Sequence, residues 1–163
     1  MSYARLGAMI VTATIIMFGL MYFNNYALDH VWFSQTRAWM AVVMGAVMAV
    51  VMLAVMLNMY KSSRANLAIL GLCIVLFAAA LFLVRSQETV SDVSYMKAMI
   101  PHHSIAIMTS ERAHIRDPRV RKLADGIIEA QVREIAEMEK LIADLEKNPV
   151  PADAPDLEPQ GQR

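Results

Sequence analysis

Hydrophobic positions along the 163-residue chain follow two different patterns, one on each side of residue 85. The first part holds three uncharged apolar runs, at 6–28, 38–60 and 65–84. Each has the roughly 20 residues with which a helix crosses about 30 Å of hydrocarbon. Three membrane-spanning helices are therefore expected. The first run is longer than the apolar stretch of a secretion signal, and no small-x-small cleavage site precedes Asp29, so it is read as a span.

Past residue 85 apolar positions recur every three or four residues among charges, the spacing of amphipathic helices. Thr89-Val-Ser-Asp92 has the form of a helix start, and the pattern runs on to about Ile115. Asp117-Pro118 sets a capping carboxylate before a proline at the first helical position, and this second helix runs to about Lys147. Pro149, Pro151, Pro155 and Pro159 then exclude helix. The chain is thus expected to be all-α. Residues 1–85 form a transmembrane domain, 86–147 a helical hairpin outside the bilayer, and 148–163 a disordered proline-rich tail. Two helices alone bury little core. Pairing of two hairpins into a four-helix bundle is the expected remedy, making a homo-oligomer, with packing on the protein's own membrane end as the alternative.

Charge sharpens this division. Arg5, Asp29, Arg37, Lys61, Arg64 and Arg85 are the charged side chains of residues 1–85. Net charge is formally zero, which argues against a nucleic-acid partner. Arg5, Lys61 and Arg64 belong to one side of the membrane and Arg37 and Arg85 to the other. The bias toward basic residues inside places the amino terminus in the cytoplasm of a multi-pass plasma-membrane protein, and the hairpin in the periplasm or outside the cell. The single cysteine, Cys73, is read as a small apolar residue of the third span and forms no CxxC site.

The candidate chemistry lies on the first helix of the hairpin. Met96, Met99 and His103 fall within roughly 60° of one another on a helical circumference. Thioether sulfur and imidazole nitrogen suit Cu(I), favoured here over Cu(II), whereas zinc prefers cysteine, histidine and carboxylate. Core packing is the competing account of the two methionines. His102 lies about 100° from His103, so one straight helix does not aim both at one ion unless Pro101 bends it. The apolar seam of the second helix reads Val120, Leu123, Ile127, Gln131, Glu134 or Ile135, Met138, Leu141 and Leu145. Gln131 and Glu134 interrupt it. Glu134 is a candidate for orienting a histidine ring, or for an ordinary ion pair with Arg133 or with Arg121 of a partner chain, and Met138 can add a thioether. Met108 and His114 are weaker candidates, off the shared face or far along the axis. Arg112, Arg116, Arg119, Arg121 and Lys122 form a solvated rim around the turn.

In the second span Met40, Met44, Met48, Met52, Met56 and Met59 form a row, better explained by packing than by a ladder for Cu(I). Tyr26, Trp32 and Trp39 suit an interfacial belt, and His30 in the loop between spans one and two is a weak metal candidate.

The stretch Tyr95-MKAMIPHHSIAIM-Thr109, followed by Gln131-VREIAE-Met138, resembles the domain of unknown function 305 family. The resemblance covers about residues 86–147. It implies a ferritin-like helical bundle that binds copper and contributes to copper tolerance outside the cytoplasm. By that likeness Met96, Met99, His102, His103 and Met138 are ligands with Glu134 in support, and Met108 carries over weakly because its methionine stands one position early. Ser104 departs from the family, where glutamine is frequent. No catalytic nucleophile or base constellation is present. The reading is a membrane-anchored copper-binding protein, against two alternatives: a metal-free structural dimerisation module, or an oxidase of Cu(I).

Overall fold

The computed structural model describes residues 2–151 and 153–158, and every regular element among them is helical. Five α-helices follow one another: α1 (Tyr3–Leu20), α2 (Gln35–Val55), α3 (Ser63–Ser86), α4 (Asp92–Arg112) and α5 (Pro118–Leu145). The first three are long and apolar enough to cross a membrane. Each of them starts at a serine cap: Ser2, Ser34 and Ser62 accept hydrogen bonds from the amides of Ala4, Arg37 and Ala65. These caps satisfy amides that the first helical turn leaves without partners.

α2 packs against both α1 and α3. Its buried positions are largely small, with Ala41, Gly45, Ala46 and Ala49 among them. Small residues let helix backbones approach where no water drives association. Gly45 shows how close: a Cβ there would lie 2.5 Å from the Thr14 hydroxyl of α1. Cys73 of α3 packs on Ala46 and Ala49. Met52 and Met56 lie against Leu6, Leu53 and Tyr60, so this part of the methionine row is packing.

Element ends differ from the expected ones where polar side chains offer the backbone another partner. α1 stops at Leu20, well short of residue 28. Asn24 and Asn25 follow, and the Asn25 amide closes a loop by donating to the His30 carbonyl at 3.0 Å. α2 ends at Val55, and Leu57–Met59 form a 3-10 turn instead of continuing to residue 60. α4 is capped by Ser91 and not Thr89, whose hydroxyl accepts instead from the Gln35 side chain of α2 at 2.9 Å. α4 closes at Arg112 and α5 at Leu145, both slightly early. Pro159 of the expected tail lies outside the described residues, while 154–158 belong to no regular element and are exposed.

The join between α3 and α4 sets the position of the hairpin. Gln87 takes a left-handed conformation (φ 57°) and its amide bonds the Leu83 carbonyl, which terminates α3. The chain then turns across the end of α2. Gln35 reaches Thr89, and two residues further along α2 Arg37 reaches the Pro101 carbonyl at 3.3 Å. Thr89 just before α4 and Pro101 in the middle of it both lie within side-chain reach of the first turn of α2. α4 therefore lies across the end of the membrane-type helices and does not stand away from it.

α4 and α5 pack into a hairpin whose core is Met96, Ile100, Ile107, Ile135 and Ile142. Trp32, from the loop between α1 and α2, packs on the same core. That loop also holds Ser104, which is fully buried. The Ser104 hydroxyl accepts from the Tyr26 amide at 2.7 Å and contacts His30 Nδ1 at 2.9 Å. The packing partner seen for the hairpin is thus the protein's own membrane end. The α5 seam also needs correction. Ala124, Ile135 and Ile142 are buried, whereas Val120, Leu123 and Leu141 of the expected seam are exposed. The buried line is turned by roughly a fifth of a turn from the expected one.

Candidate metal centre

The sequence keeps α4 helical through Pro101, which sits in the helix with its carbonyl held by Arg37. The helix therefore carries His102 and His103 on different faces. His103 is buried and points toward α5. Its Nδ1 donates to the Met99 carbonyl at 3.0 Å, since a carbonyl only accepts. Its Nε2 lies 2.7 Å from a carboxylate oxygen of Glu134, so one proton sits between ring and carboxyl. The Glu134 side chain is 43% exposed against 11% for His103 and is the more accessible partner of the two. Arg121 pairs with Asp125 one turn along its own helix.

A cleft of about 400 Å³ opens between α4 and α5 beside this pair. Met96, Met99, His103, Glu134 and Met138 all line it. Three thioethers and an imidazole thus face one space. Asp92 and Glu137 line it too, and no lysine or arginine does. Charge on its walls is all negative, which concentrates cations. Asp92 and Glu137 were not singled out from sequence. Their common signal is helical position: Asp92 lies four residues before Met96, and Glu137 three residues after Glu134. Among the described residues no three His, Cys, Asp or Glu side chains gather as a metal-holding group. The donor set on offer is therefore the soft one, built on methionine, which suits Cu(I) better than zinc.

Other candidates lie elsewhere. His102 is exposed and lines a separate groove with Arg37, Thr36 and Gln87; Met99 and Tyr95 border both spaces. Met108 does not reach the cleft, and His114 is exposed past the end of α4. Gln131 lines a shallow surface groove with Lys122 and Ile127. His30 is engaged with Ser104 on the loop side of α4. Near it Tyr26 bonds Glu111, whose carboxylate raises the phenol above its usual value near 10.

The class defined by this architecture is an all-helical protein in which three membrane-type helices carry an amphipathic hairpin with a soft-donor, acid-lined cleft. Residues 85–162 match the family described as Domain of unknown function (DUF305). A stretch of 71 residues is 37% identical to an uncharacterized protein of Acanthamoeba polyphaga mimivirus, covering 42% of this chain and 47% of that protein. The chain therefore spans about half the length of this relative. No solved structure matches the chain.

Proposed function

We propose that the hairpin binds copper, Cu(I) in preference to Cu(II), and sequesters it or passes it on at the outer face of a plasma membrane. The observation that carries this reading is the convergence of Met96, Met99, Met138 and His103 on one cleft whose charged walls are all acidic. Copper is the cargo. Binding through His103 Nε2 requires Glu134 to release that nitrogen, and its exposure leaves it room to do so. Glu134 then holds charge beside the ion, and the Met99 carbonyl orients the ring through Nδ1. A second copy of the chain, pairing through the apolar edge Val120, Leu123 and Leu141, is the proposed oligomeric partner.

The test is a Cu(I) competition titration against a chromogenic chelator, on full-length protein in detergent. His103→Ala is expected to weaken binding by orders of magnitude, and Glu134→Gln by about 10- to 100-fold. Met96→Leu, Met99→Leu and Met138→Leu keep volume and fold, and each lowers affinity. Unchanged affinity in a folded His103→Ala variant overturns the reading. One observation favours a second account, a metal-free helical docking module: both His103 nitrogens already have partners, Met99 and Glu134. On that account His103→Ala lowers thermal stability and leaves copper binding unmoved.

A further inference from the structure

The groove on the other side of Met99 has opposite chemistry. It encloses about 240 Å³ between the first turn of α2, the Gln87 turn and the underside of α4. Its polar walls are Ser34, Thr36, Arg37, Gln87, Tyr95 and His102, and no carboxylate lines it. Arg37 is half-buried and forms no ion pair among the described residues. Its guanidinium spends one nitrogen on the Met21 carbonyl at 2.8 Å and another on the Pro101 carbonyl, and sits over the Tyr22 ring. Two carbonyl dipoles and a ring face do not neutralise a full charge, and a guanidinium has five N–H groups to place.

The level of the groove supplies the missing partner. α2 has 21 residues, a rise of roughly 32 Å that just matches the hydrocarbon thickness. Taken as a span, its first turn lies at the polar edge of the hydrocarbon, within side-chain reach of lipid phosphates, with Trp39 at an interfacial level. From these observations we propose that the groove takes the phosphate of one anionic phospholipid headgroup from the leaflet on the hairpin side. Arg37 provides the charge, and the Thr36 hydroxyl and a His102 ring N–H provide further donors. The lipid then bridges α2 and α4 beneath the metal cleft. This inference rests on the membrane-spanning part of the proposed function and is independent of copper.

Native mass spectrometry of the full chain, released from detergent with phosphatidylglycerol or phosphatidylcholine, tests it. Wild type is expected to retain one phosphatidylglycerol at least about tenfold better than phosphatidylcholine, whose choline cation offsets the charge of the same phosphate beside Arg37. Arg37→Gln is expected to abolish that preference. Because Arg37 also braces Met21 and Pro101, His102→Ala/Thr36→Val serves as the second variant; it leaves those bonds in place and is expected to reduce retention several-fold. Equal retention of the two lipids, or a preference unaltered in both variants, overturns the site. Displacement of the lipid by millimolar inorganic phosphate overturns the lipid as its source. Failure of copper binding with the lipid preference intact leaves this site standing.

Discussion

His103 and Ser104 are neighbours on α4, both buried, and they serve opposite sides of the helix. His103 faces α5 and the thioethers, while Ser104 receives the loop that caps the membrane-type helices. A serine at position 104 has a physical reason here. The position has no exposed surface, and the Tyr26 backbone comes within 2.7 Å of the hydroxyl. Ser104→Gln is expected to overpack this joint and destabilise the protein by about 1–3 kcal/mol. Ser104→Ala leaves the Tyr26 amide and the His30 ring without their partner, at a cost of about 1–3 kcal/mol. Hydrogen exchange of residues 22–34 measures both. Loosening confined to that loop is the expected result, and protection equal to wild type in both variants contradicts the role of the joint.

Among the elements, the turn between α4 and α5 is the most fully written into the sequence. Asp117 caps α5 through the Arg119 amide at 2.8 Å, and Pro118 occupies the first turn. The Arg119 side chain, and then its amide, hold the Asp117 carboxyl below its ordinary value of 3.8. A depressed folded-state value means stabilisation that is complete above 3.8 and is lost as the pH falls through the lower value. Asp117→Asn keeps a capping oxygen but loses the charge, so its unfolding temperature is expected to lie below that of wild type at neutral pH. As the pH is taken below 3.8 the two melting curves should converge. A difference that persists unchanged into acid contradicts this account. Local signals of this kind were readable because cap and helix adjoin in sequence. The side of α5 that is buried was not, because α5 has apolar residues over a wide arc and only its distant partners decide which are covered. Ile135 and Ile142 go under α4, and Leu123 and Leu141 stay out. The end of α1 was misjudged for a related reason: hydropathy continues to Leu28, but Asn25 finds its partner in the loop at His30. The site divides the same way. Helical spacing placed Met96, Met99 and His103 together and His102 apart, whereas the acids Asp92 and Glu137 joined the cleft only through the pairing of α4 with α5.

On the scale of the whole molecule, charge and architecture give the chain two unlike ends. At one end Tyr3 of α1 bonds Asn66 of α3 at 2.9 Å, beside Arg5, Lys61 and Arg64. At the other, Arg37 ties the last turn of α1 and the first turn of α2 to α4. Basic residues close to short loops favour the cytoplasm, so the proposed topology puts the end with three of them inside and the hairpin outside. On that proposal the acid-lined thioether cleft faces away from the cytoplasm. Single-cysteine labelling measures this directly, after Cys73→Ala removes the one native thiol. A membrane-impermeant maleimide added to intact cells with a permeable outer envelope is expected to label His114→Cys, which lies exposed past the end of α4. The same reagent should reach Ser62→Cys, on the opposite end, only after the plasma membrane is opened. The reverse pattern inverts the chain and moves the cleft into the cytoplasm. The basic-residue count argues against that outcome, three (Arg5, Lys61 and Arg64) against two (Arg37 and Arg85), and of the two Arg37 is held by the Met21 and Pro101 carbonyls. A guanidinium so engaged is folded into the structure, whereas Lys61 and Arg64 lie exposed beside the short loop that the proposed topology keeps inside.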